Sequence, residues 1–155
     1  MYMKTVLPCL LLLFSVVGCQ SVELIPVEEL QDAETMWDCH VASAWDHAKV
    51  SSLLVGTWQG RYQDCPWGDL LQESSEDITV VNLIFTSDGA FVVEEDGSEI
   101  FSAEWVLEVV QGNSFYLLTD KPGWDLGPLY ICDRVILDHG TPFDGCDTYY
   151  QKISN

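Results

Sequence analysis

The sequence predicts an all-β fold: an antiparallel up-and-down β-barrel of seven or eight strands, preceded by one N-terminal α-helix. Three observations carry this reading. Beyond Ser52 the apolar pattern changes from helical spacing to period two and keeps it to the C-terminus. Turn-forming runs, Ser87-Asp88-Gly89, Asp96-Gly97 and Gln111-Gly112-Asn113, divide that region into short segments suited to hairpins. A meander of this many short strands hides its unpaired edges by closing on itself.

Residues 28–50, EELQDAETMWDCHVASAWDHAKV, supply the helix. Trp37, Val41, Ala44, Trp45 and Ala48 recur on one side, and acids crowd the first turns, where the helix dipole favours them. The barrel is expected over 52–155. Its clearest strand is Leu54 to Asp64, with Leu54, Gly56, Trp58, Gly60 and Tyr62 on one face and Thr57, Gln59, Arg61 and Gln63 on the other. A polar loop from Cys65 to Asp77 leads into Ile78 to Thr86, apolar on both faces, then Ala90 to Glu95. In Glu99 to Val110, Phe101, Ala103, Trp105, Leu107 and Val109 share a face opposite Ser102, Glu104 and Glu108. Ser114 to Thr119 follows, then a loop from Asp120 to Pro128, a run from Leu129 to Asp138, and a last strand from Asp147 to Ile153. The Leu129 run does not divide readily, which is why seven strands and eight both stand.

In such a barrel the first, third and fifth connections lie at one end. The first and fifth are long and carry Trp67 and Trp124, whereas the second is tight. The end with long aromatic loops is the expected mouth, where barrels of this kind hold ligands. Candidate contacts for a small apolar or amphipathic ligand are Tyr62, Phe91, Phe101, Trp105 and Leu107 inside, with Trp67 and Trp124 at the rim. The alternative is a solid barrel whose rim tryptophans only plug its top.

Charge narrows the partners. All 25 acidic residues follow Cys19 and only five of the six basic residues do, which leaves −20 on that part of the chain. Nucleic acid is excluded as a partner, since its phosphates need the opposite sign. The acidity fits either a well-solvated surface or attraction to a basic protein.

The first 18 residues read as a leader: Lys4, then twelve residues from Val6 to Val17 dominated by apolar side chains. That run is too short to cross about 30 Å of hydrocarbon as a helix but has the length of a signal-peptide core. Val16-Val17-Gly18-Cys19 resembles the bacterial lipoprotein signal, in which the Cys after a small residue is acylated, palmitate included, after cleavage. The resemblance implies a protein anchored through Cys19 in the bacterial envelope, with Gln20 pointing to the outer membrane and residues 19–27 as a tether. Ordinary secretion with cleavage nearby is the alternative. Without Cys9 and Cys19, an even set remains, Cys39, Cys65, Cys132 and Cys146, which in an exported chain suggests two disulfides. Three pairings are open. Cys132 with Cys146 across a hairpin centred near His139-Gly140, leaving Cys39 for Cys65, is the one favoured here.

Val55-Gly56-Thr57-Trp58, placed after a helix and before a meander closing in Tyr149-Tyr150-Gln151-Lys152, resembles the lipocalin-like proteins of the calycin superfamily. Phe85-Thr86-Ser87-Asp88-Gly89-Ala90-Phe91 resembles phrases of their bacterial lipoprotein members, and the likeness spans residues 52 to 153. It implies that Gly56 and Trp58 close the barrel floor, with a basic side chain, Arg134 or Lys152, over the indole.

No catalytic constellation is present. His40 and His47 stand about 10.5 Å apart along a helix, too far to share a metal, and read as surface residues with His139 in a turn. Glu94-Glu95-Asp96-Gly97 and Asp144-Gly145-Cys146-Asp147 lack the ligand spacing of an EF-hand loop. No metal, cofactor or enzymatic activity is expected. The function expected is that of a membrane-anchored barrel holding a small apolar or amphipathic ligand, the alternative being a solid acidic module that binds a basic protein.

Overall fold

The computed structural model describes residues 22–66, 79–110, 114–140 and 145–155. Eight antiparallel strands close a barrel in sequence order: β1 (Gly56–Asp64), β2 (Val81–Phe85), β3 (Ala90–Glu95), β4 (Ser98–Val110), β5 (Ser114–Thr119), β6 (Leu126–Cys132), β7 (Val135–His139) and β8 (Asp147–Ser154). The run from Leu129 does divide: Asp133, at φ 50°, turns the chain so that Cys132 pairs with Val135. Aspartate is one of the few side chains that enter this left-handed region readily.

The single helix expected over 28–50 is instead a 3-10 turn, Val27–Glu29, and two helices, α1 (Ala33–Ala42) and α2 (His47–Leu54). Two aspartates set the breaks. Asp32 accepts from the Thr35 amide and Asp46 from the Lys49 amide, each at 2.8 Å, so each caps a new helix start. Between the helices Ala44 turns at φ 48°. The buried face of α1 is Met36 and His40, both 1 % exposed, while Val41 faces solvent. His40 is therefore no surface residue.

Inside the barrel, Trp58, Leu83, Phe85, Phe91, Val93, Leu107, Phe115 and Ile131 form one packed cluster, into which α2 inserts Val50 and Leu54. The Phe85 and Phe91 rings stack at 4.9 Å, with Trp105 edge-on to Phe85 at 5.6 Å. A second cluster lies on the outer face, where Met36 of α1 meets Cys132, Val135, Leu137 and Tyr149, with Ile25, Leu30 and Tyr62 packed against them. The segment ahead of α1 is strapped down through its backbone. Gln151 accepts from the Ile25 amide and donates to the Glu23 carbonyl, and Arg61 donates to the Ile25 carbonyl.

Tyr62 departs from the alternation expected of β1. A bulge at Arg61 puts Gly60 opposite Tyr150 but Tyr62 opposite Tyr149. One extra residue reverses the phase of a strand, so Tyr62 joins the outer cluster.

Both disulfides differ from the pairing expected. Cys39 joins Cys132, and Cys65 joins Cys146. Cys132 ends a strand whose hairpin partner is already Val135, and the helix packed on that strand brings Cys39 to it. Cys65 follows β1 and Cys146 precedes β8, strands joined as far as Asp64 and Asp147.

Candidate functional site

The two ends of the barrel are built differently. At the closed end Trp58 is fully buried, and its indole Nε1 donates to the Leu54 carbonyl at 2.7 Å. Lys152 Nζ sits 5.7 Å from the centre of that ring and donates to the Leu53 carbonyl at 2.8 Å. Of the two bases considered, Lys152 covers the indole; Arg134 instead donates to the Lys152 carbonyl at 2.7 Å. Gly56 is required here, because at φ 126° an added Cβ would lie 2.3 Å from the Ser154 carbonyl oxygen.

The open end carries a cavity of about 340 Å³, lined by Gly60, Arg61, Tyr62, Gln63, Val81, Trp124, Thr148 and Tyr150. Trp124 comes from the connection between β5 and β6, at the end where the topology puts odd-numbered connections. It leans on Phe101 at 6.0 Å, and Lys121 Nζ lies 6.0 Å from the same Phe101 ring. Gln63 Nε2 donates to Thr148 Oγ1 at 3.1 Å across β1 and β8. The Arg61 guanidinium is turned away and is held by Gln59 Oε1 and the Ile25 carbonyl. Burial pulls it below its usual pKa.

Tyr150 is 6 % exposed and lines this cavity, yet its hydroxyl has no hydrogen-bond partner among the described residues. Burial, and next the charge of Asp138, push the phenol above its ordinary range, so it is a neutral hydroxyl. Asp138 pairs with Thr148 and with Leu129, both inward-facing, and therefore faces the interior near the cavity. One of its oxygens accepts from the Gly127 amide at 2.7 Å. Burial raises its carboxyl to about 6 against the pull of that bond, with the neighbouring Asp147 charge adding to the rise.

The expected ligand contacts separate into groups. Trp124 and Tyr62 line the cavity, Tyr62 from the shoulder of the bulge. Phe91 and Leu107 are core residues, 0 % and 4 % exposed, and do not line it. Phe101 and Trp105 pack partly buried against that core, and the Trp105 Nε1 donor is buried without a partner. Trp67 lies outside the described residues. Gln63, Thr148, Tyr150 and Asp138 were not anticipated. Gln63 reads as outward until the bulge in β1 is known, and Thr148 and Tyr150 lie on a strand whose faces are assigned only by its pairing.

Comparison of the chain with protein-family models, with curated proteins and with solved structures gives no match.

Proposed function

We propose that this protein is a lipocalin-like binding barrel, tethered in a bacterial envelope by lipid on Cys19, whose open end takes a small amphipathic molecule. The supporting observation is the mouth cavity, which Trp124 and Tyr150, its hydroxyl unpartnered among the described residues, both line above a closed floor. Apolar walls with a few placed polar groups are the usual make-up of a small-molecule site. The packed interior limits the ligand to the mouth, because Phe85, Phe91 and Phe115 already fill the barrel beneath it.

That same filling favours a second reading, a solid acidic module acting by its outer surface. Val106 is 60 % exposed on β4 and shares its outer row with Glu104 and Glu108. One experiment separates the two readings. Native mass spectrometry of the exported protein, weighed again after denaturation, reports any small molecule carried from the cell. Addition of ligand extract should also change tryptophan fluorescence in wild type, and less in Trp124→Leu. Equal native and denatured masses together with no fluorescence response would leave only the solid module. Retention of the protein in the membrane fraction, and its release by Cys19→Ser, tests the anchor.

A further inference from the structure

Resting on that reading of the mouth, we propose that its ligand presents a cationic ammonium head to Tyr150 and Asp138 and lays its apolar part against Trp124. Three features of the site point to this class. Tyr150 is buried with an open hydroxyl, a neutral group that can accept from an N–H donor. Asp138 lies just behind the lining, on the same inner face and opposite Thr148, and accepts a hydrogen bond from the Gly127 amide. Among the described residues no lysine or arginine reaches its carboxylate. The groups around it are the Asp147 charge, the His139 ring and the Tyr150 phenol. An ammonium placed there would give the carboxylate the partner that burial makes it lack.

The aromatic wall agrees, since the face of Trp124 attracts a cation and repels an anion. The rim has the same sign. Asp96, Asp120 and Asp125 stand at the open end, each with one oxygen on a backbone amide, of Val80, Glu104 and Thr119. Against them stand Lys121, folded onto Phe101 and the Ser102 carbonyl, and Arg61, whose guanidinium faces the strap. The field at the mouth therefore draws cations in.

The test uses three probes with one chain length, decylammonium, decanol and decanoate, each titrated below its micellar concentration into the exported protein at pH 7.5. Decylammonium should bind about tenfold more tightly than decanol, the worth of one charge-assisted hydrogen bond, and decanoate most weakly. Added salt should narrow the order. Asp138→Asn should remove most of the gap between decylammonium and decanol while leaving decanol unchanged. Tyr150→Phe, a smaller change that keeps the ring, should weaken decylammonium more than decanoate. Decanol or decanoate binding as tightly as decylammonium overturns the cationic assignment and leaves the mouth reading standing. Binding of none of the three overturns the mouth reading, and this inference falls with it.

Discussion

His40 Nδ1 accepts the backbone N–H of Ile131 at 3.0 Å, just past the end of the β5–β6 ladder. The β5–β6 pairing reaches only to Phe115 and Leu129, two residues short of Ile131. The carbonyl of the same residue accepts from Trp45 Nε1 at 2.9 Å. Two side chains from the helical segment thus stand in for a neighbouring strand, and the break between α1 and α2 is what lets both reach. His40→Leu keeps bulk but orphans a buried amide. The expected loss is about 2–4 kcal/mol, combining an unsatisfied donor with imperfect packing. Urea unfolding measures it, and hydrogen exchange at the Ile131 amide should accelerate selectively. An unchanged exchange rate there would mean the histidine does not hold the seam.

The covalent links fasten the same regions. Cys39–Cys132 spans 93 residues and ties α1 to the barrel; Cys65–Cys146 spans 81 and ties the ends of β1 and β8. Non-reducing peptide mapping should recover these two pairs and no Cys132–Cys146 peptide. Replacing Cys39 and Cys132 together by serine should cost about 3–5 kcal/mol on the chain-entropy account. A stable barrel with a loosened α1, seen as protease cleavage within 33–42, is the expected product.

At the floor, Lys152→Ala removes both the cation over the Trp58 ring and the donor to the Leu53 carbonyl. Its expected cost is about 1–3 kcal/mol, the sum of a cation–π contact and a partly buried hydrogen bond. Gly56→Ala should cost more, because the clash with the Ser154 carbonyl adds to an unfavourable φ. Thermal melts rank the pair, and a Gly56→Ala protein as stable as wild type would contradict the backbone geometry at this corner.

The barrel was legible because its signals are local and repeated. Period-two alternation and the turn residues between the runs mark the ends of β3, β4 and β5 within a residue. What failed is what depends on one residue or on tertiary contact. A single inserted residue at Arg61 reversed the face of Tyr62, and nothing in the local pattern marks it. Asp32 and Asp46 did carry a readable signal as helix caps, which the broader helical spacing masked. Disulfide pairing needs to know which strands are neighbours. The mouth polar groups were missed for a related reason: Asp138 and Thr148 share an inner face only once β7 and β8 are registered.

Asp138 also makes stability depend on pH in a stated direction. Its carboxyl rises from 3.8 to about 6 in the folded barrel, chiefly through burial. Between those values the folded chain binds a proton that the unfolded chain has released, so stability falls as pH increases through this window. The group favours the fold most below about pH 4, and its ionisation costs about 2 kcal/mol by pH 7, allowing for partial exposure. Asp138→Asn keeps an oxygen for the Gly127 amide and cannot ionise. Its stability relative to wild type should therefore climb by about that amount from pH 4 to pH 7. Urea unfolding of both proteins at four pH values provides the measurement. A difference that stays flat across the range would show that Asp138 ionises as freely as in water, and would weaken its assignment to the interior of the mouth.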